Sequence, residues 1–272
     1  MKAIQIAYDE YFEKKCRLAS EVGFRHIAVN FHDMPNTEDS DFDYALTHIP
    51  SILKKYNLEA IQTHLYCYHP YLSSEKVDEK TEHRIMREIE VSGKIGAKWC
   101  VWHPRYYVTD GYNEEKTIKI SVERISGYLK QAKLYNTGIA IENLHSDMCC
   151  ADYKELARLH DCFDQDNIGI CYDFGHAHLK GFDQVEAIEF LGERIKCTHI
   201  HNNFGHNTDY HHPPDIGQIK WEPIMKALKE IGYSGPYTLE THCLYPDDDI
   251  MLKDFADHNF KCLQYLQRLM NK

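Results

Sequence analysis

A (β/α)8 barrel forming one α/β domain over residues 1–272 is the fold this sequence predicts, on three observations. Short apolar or β-branched runs recur about every 30 to 40 residues, nearly every gap between them carries helical periodicity, and no Pro/Gly-rich linker or break in composition divides the chain. The length matches the roughly 250 residues typical of such barrels.

Eight strands are expected, at Ala3–Ala7, His26–Asn30, Ala60–His64, Trp99–His103, Gly138–Glu142, Ile168–Tyr172, Cys197–His201 and Tyr237–Glu240. Between the third and fourth, Ile85, Ile89 and Gly93 repeat at helical spacing; Trp221, Met225, Leu228 and Ile231 do so before the eighth. A final helix through Leu252, Phe255, Cys262, Leu266 and Leu269 closes the ring. Val22-Gly23, Gly96, Asn136 to Gly138 and Ile231-Gly232 read as stops that end one helix before the next strand begins. The rival is a doubly wound open sheet, which would want a Gly-rich phosphate loop after the first strand, where Tyr8-Asp9-Glu10 stands instead.

Hydrophobic content of 43% and charged content of 27% are those of an ordinary globular chain. Met1-Lys-Ala-Ile-Gln-Ile-Ala-Tyr lacks the order of a signal peptide, and no apolar run approaches the roughly 18 residues of a membrane span, so a cytoplasmic location without a membrane partner is expected. The ten cysteines lack any Cys-x-x-Cys spacing and read as reduced, mostly buried thiols. A net charge of −11 argues against a nucleic-acid partner. Neither composition nor charge sets the oligomeric state, and a homo-oligomer stays open.

The stretch Cys171-Tyr-Asp-Phe-Gly-His-Ala-His178 puts Asp173 and His176 three residues apart just past an apolar run, with Gly175 expected to let the backbone turn sharply between them. The plain alternative is a capped turn, Asp173 bonding the next helix and His176 solvated. Other strands end the same way. His64 closes the third, His103 the fourth, Glu142-Asn143 the fifth, His199 and His201 the seventh, Glu240 the eighth, and Asp209-Tyr-His211-His212 follows the seventh. Barrel loops at the carboxyl ends of the strands share one face, and so many charges converge there only if something neutralises them. Mixed nitrogen and oxygen donors fit a divalent cation such as zinc, manganese or cobalt better than calcium.

The series QTHLY, WHPR, AIENLH, CYDFGHAHL, THIHNN, DYHHPP and YTLETH, with GQIKW and LKEIGYSGPYTLE, resembles the xylose isomerase-like TIM-barrel superfamily over essentially the whole chain. That superfamily holds sugar isomerases and epimerases, inosose-processing enzymes and the endonuclease IV group. By motif, the resemblance implies a shared metal site on Glu142, Asp173, His199 and Glu240, with His176 contacting substrate. Endonuclease IV enzymes would place further ligands on His64, His103, His176, Asp209 and His211, so a site of more than one zinc or manganese ion is open. Two positions depart from the pattern: Asn202 stands where Asp is common, and no Arg follows soon after His201, where some ketose epimerases hold one.

The expected activity is metal-dependent isomerisation or epimerisation of a sugar, inosose or sugar phosphate. Glu142 and Glu240, from strands three apart, would move the proton, and the ion would stabilise the enediolate. Trp102 and Tyr106-Tyr107 are candidates for an apolar wall, and His201 and His212 for hydrogen bonds to sugar hydroxyls. The alternative is a phosphodiesterase of the endonuclease IV type, against which stands the acidic loop Phe31-His-Asp-Met-Pro-Asn-Thr-Glu-Asp-Ser-Asp41. The third-strand loop YCYHPYLSSEKVDEK looks instead like the sugar-isomerase pattern. A non-catalytic carbohydrate-binding barrel is the third class, opposed by the presence of both glutamates.

Overall fold

Alternation along the strands decides which side chains meet inside the barrel. In the computed structural model the strands are β1 (Lys2–Ala7), β2 (His26–Asn30), β3 (Glu59–His64), β4 (Tyr71–Leu72), β5 (Trp99–Trp102), β6 (Tyr106–Tyr107), β7 (Gly138–Glu142), β8 (Ile168–Asp173), β9 (Ile195–Ile200) and β10 (Tyr237–Leu239). The structure describes residues 1–67, 71–72, 78–104, 106–107, 113–145, 148–206 and 208–270. Eight strands close a parallel barrel in the order β1-β10-β9-β8-β7-β5-β3-β2, while β4 and β6 pair with each other outside it. The expected strand bounds hold to within one or two residues, and the two short strands were not anticipated.

Trp99, Val101, Ala140, Cys171 and Cys197 form a buried cluster of their own inside the barrel. Their neighbours one residue along, Cys100, Trp102, Ile139, Ile141, Ile170 and Tyr172, belong instead to the large core beneath the helices. Gly138 makes room for this inner layer: a Cβ there would lie 2.5 Å from the Trp99 ring.

The outer layer comprises α1 (Phe12–Val22), α2 (Asp39–Lys55), α3 (Glu79–Lys94), α4 (Glu114–Leu134), α5 (Tyr153–His160), α6 (Phe174–Lys180), α7 (Gln184–Leu191), α8 (Trp221–Glu230) and α9 (Asp249–Met270). Helix α1 ends at Gly23 in the left-handed conformation, with a φ of 113°. Asn136, Gly96 and Gly232 also take positive φ after their helices, as the stop pattern implied. Among the described residues, no helix is long and apolar enough to cross a membrane.

Candidate metal centre and active site

Stepping forward by two from the inner layer leads along each strand to the site: Val101 to His103, Ala140 to Glu142, Cys171 to Asp173, and Cys197 to His199 and His201. Gln62 and His64 share a face of β3 in the same way. The carboxyl end of the barrel is therefore polar because the same inward-facing rows change chemistry there.

Glu142, Asp173, His199 and Glu240 bring one ligand-capable atom each to within 4.8 Å of the others, all buried. His199 Nδ1 lies 2.9 Å from Glu142 Oε1 and 3.1 Å from Glu240 Oε2. A second group, His176, His201, Asp209 and His211, meets the same distance condition. There Asp209 Oδ2 is 3.1 Å from His176 Nε2 and 2.8 Å from His211 Nε2. His64, Cys67 and His103 make a third. Glu142 reaches across: its Oε2 accepts from His103 Nε2 at 2.9 Å and lies 3.3 Å from His64 Nε2.

Backbone geometry aims these groups. Asn143 clamps β7 to β8, donating from Nδ2 to the Asp173 carbonyl and accepting the Asp173 amide. Asp173 is at once the N-cap of α6, accepting the His176 amide at 2.6 Å, and a member of the first group, so the capped-turn and ligand readings both describe it. His211 holds a φ of 48°, uncommon for a non-glycine residue, which turns Asp209 and His211 toward the same point.

Two expectations meet a different arrangement. Trp102 does not reach the site: its ring is 1% exposed and packs edge-on to Tyr128 of α4, because one step along β5 from Val101 faces the helices. Gly175 makes no sharp turn, since it lies inside α6 without positive φ. A Cβ there would fall 1.9 Å from His201 Cε1, so its role is close approach. His201 sits within the second group, its Nε2 3.0 Å from Asp173 Oδ1 and its ring stacked on His211 at 4.0 Å. His212 stacks on Tyr210 and bridges Asn202 through the backbone. The Tyr106 and Tyr107 side chains, and most of the loop from Tyr68 to Val77, lie outside the described residues.

Burial opposes charge on these groups, and their mutual attraction overrides it. Against its burial, Glu142 is held well below the usual carboxylate range by His199 and His103, and Glu240 by His199 and His211. His199 rises well above its ordinary value beside Glu240 and Glu142, and His176 beside Asp173 and Asp209. For His211 the bond to Asp209 and the charge of Glu240 outweigh burial and lift it to about 9. Burial lowers His103, which meets Glu142 as a neutral N–H donor.

The donor set fits divalent cations. His64, His176 and His211 each engage a backbone carbonyl (Leu65, Asn143 and Glu240) through Nδ1, which leaves Nε2 directed inward as a free lone pair when neutral. His201 Nδ1 and Asp209 Oδ1 are buried without a hydrogen-bond partner, 3.7 Å apart. A cation would engage both.

Gln62, His145 and His242 were missed. Gln62 Nε2 lies 2.7 Å from His199 Nε2, with Oε1 3.1 Å from Thr238 Oγ1. A half-turn of that amide lets Oε1 accept from Nε2–H and frees His199 Nδ1 for a cation. His242 stacks on His211 at 4.4 Å, and His145 lies 5.2 Å from His176. Inward parity with His64 could have found Gln62; residues beyond the strand ends carry no such signal.

The xylose isomerase-like TIM barrel family model matches residues 16–257. The chain belongs to that family. An uncharacterized protein of Sinorhizobium fredii is 37% identical over 106 residues, which cover 39% of this chain and 34% of that protein. A probable endonuclease 4 of Mesomycoplasma hyopneumoniae is 26% identical over 172 residues, 58% of this chain and 60% of that protein. The chain thus spans from a third to three fifths of the length of these curated relatives. A D-psicose 3-epimerase crystallised in the presence of D-fructose superposes with a TM-score of 0.77 at 17% identity, covering 100% of this chain and 99% of that one. The IOLI protein with a binding zinc atom gives 0.78 at 19% identity over 97% of each chain. At those identities the likeness is one of fold.

Proposed function

We propose that this family member is a divalent-metal-dependent isomerase or epimerase of a small sugar, inosose or sugar phosphate. The observation that carries it is the meeting of Glu142 and Glu240, from strands three apart in the ring, in one buried group with Asp173 and His199. Those four residues would hold an ion, zinc or manganese by donor type, with Glu142 shared toward further ions at His64 and His103 and another at His176, Asp209 and His211. A bound divalent ion supplies charge stabilisation for the oxyanion formed when a proton leaves the carbon beside a carbonyl.

The protein's own groups do the rest. Both glutamates are ionised at neutral pH, as a base must be, and each is fixed: Gln5 donates to Glu240 Oε1 at 2.7 Å, and His199 and His103 hold Glu142. One carboxylate removes the proton and the other, on the opposite side of the carbon, returns it. His176 contacts the substrate oxygen, and His201, packed against His211, orients the approach. A sugar rather than nucleic acid as partner, supported by the net charge of −11, belongs to the same proposal, as does a cytoplasmic location.

The test is incubation with ketoses, their phosphates and inososes in deuterated water. Deuterium should enter beside the carbonyl and fall about 10² to 10⁴-fold in Glu142→Gln and Glu240→Gln. Exchange surviving unchanged in both variants defeats the assignment. A second possibility, phosphodiester hydrolysis, is favoured by the two further groups of candidate ligands around Glu142 and by the endonuclease 4 relative. Metal-dependent incision of an abasic-site duplex at physiological salt would promote it.

A further inference from the structure

A further group of potential metal ligands joins α9 to the segment that precedes α8. His258 and Cys262 are four residues apart on that helix and so share one face. Asp215, from the segment leading into α8, meets them. His258 Nε2 is 2.9 Å from Asp215 Oδ1, Cys262 Sγ is 3.4 Å from Asp215 Oδ1, and Cys262 Sγ is 3.7 Å from His258 Nε2. The three donor atoms therefore form a closed triangle.

Hydrogen bonding accounts for the two sides that end on the carboxylate, with the imidazole N–H and the thiol both donating to Asp215 Oδ1, and the thiol also lies within sulfur hydrogen-bond reach of His258 Nε2. Tetrahedral zinc accounts for all three. Bonds of about 2.0–2.1 Å to nitrogen or oxygen and about 2.3 Å to sulfur put ligand atoms roughly 3.3 Å apart for N and O, and roughly 3.6 Å apart for pairs with sulfur. Each observed side lies near that figure, the His258–Asp215 side drawn in by its hydrogen bond. A catalytic cysteine triad is ruled out by wiring: the carboxylate and the thiol face the same imidazole nitrogen rather than opposite ones. With side-chain exposures of 51% for Asp215 and 45% for His258, solvent can complete the coordination.

We propose that Asp215, His258 and Cys262 form a structural site for a thiophilic divalent cation, zinc foremost. It shares no residue with the groups at the ends of the barrel strands and does not depend on the proposed reaction. Its effect is to pin α9 to the segment that begins at Asp209 and His211, because Asp215 is four residues beyond His211. Trp221 Nε1 and Asn202 Nδ2 already hold that segment from the barrel side through the Pro214 carbonyl. The cation would hold it from the helix side.

Cobalt serves as the probe, because a thiolate ligand adds a sulfur-to-cobalt charge-transfer absorption that nitrogen and oxygen ligands lack. Cys67 is the one other thiol in the candidate groups among the described residues, so the titration uses the full chain carrying Cys67→Ser, stripped by chelator. The absorption should appear, should be abolished with the loss of one ion per chain in the added variant Cys262→Ser, and should need at least tenfold more cobalt in the added variant His258→Gln. His258 is at the surface, so its substitution leaves folding intact. No thiolate absorption in the Cys67→Ser protein, or an unchanged absorption and affinity in either added variant, overturns the site and leaves an ion pair beside a buried thiol.

Discussion

Replacing Gly175 by alanine is expected to cost about 2–5 kcal/mol of stability, although it changes no charge and places a better helix former in α6. The new Cβ would lie 1.9 Å from His201 Cε1, 2.3 Å from Nδ1 and 2.5 Å from Nε2. Carbon atoms in contact need about 3.5–4.0 Å, so the ring must retreat by well over an ångström. It has nowhere to go, being fully buried, 3.0 Å from Asp173 Oδ1 and stacked on His211 at 4.0 Å. Overpacking costs about 1–3 kcal/mol. Loss of a hydrogen bond to a charged group adds about 1.5–3 kcal/mol, and the helical gain of alanine over glycine returns only about 0.5–1 kcal/mol. Urea unfolding at pH 7 measures the shift in midpoint at constant slope. Gly127→Ala in α4 is the control: nothing lies within 4 Å of its Cβ position, so it should stabilise slightly. A Gly175→Ala protein within about 0.5 kcal/mol of the parent would refute the steric reasoning, since surface-like substitutions fall in that range.

Asp173→Ala should strip most of the tightly held metal, because it removes both a member of the central group and the cap of α6; elemental analysis after dialysis at wild-type metal content would count against it. Gln62→Leu should lower metal affinity about 10- to 100-fold by releasing the far side of His199, read by competition with a chromogenic chelator. In chelator-treated protein the His211 contribution to stability has a definite pH window. With its folded value raised from 6.5 to about 9, it is complete below about 6.5 and fades as pH climbs through about 9. Stability across that range should decline for the parent and decline less for His211→Gln, where His199 and His176 still contribute, and a parallel decline in the two would exclude His211 as a source.

The barrel was legible because β strands alternate and helices repeat, and both periods survive in a single sequence. The convergence of the candidate ligands was legible for a related reason: Glu142, Asp173, His199 and Glu240 each continue an apolar strand, so their direction follows from residues already assigned. Trp102 shows the limit of using proximity without parity. It adjoins His103, yet one step along β5 reverses the side chain and sends the indole under α4. Gly175 shows another: a glycine demanded by a neighbouring ring looks, in sequence, the same as one demanded by a turn. His242 and His145 stand past the strand ends, where no repeat relates residue to direction. The closeness of Asp215 to α9 joins positions more than 40 residues apart and has no local signature.

The imidazole–carboxylate pairing around Glu142 bears on how such a centre is filled. The carboxylates around His199, His176 and His211 push these imidazoles toward their protonated forms, so protons can offset the buried negative charge in place of a cation. Binding of a cation there would then be an exchange, releasing protons from the imidazoles that become its ligands. Occupancy becomes a matter of supply and acidity: a cell compartment that turns acid or short of metal would return the site to its protonated form, ready to be filled again.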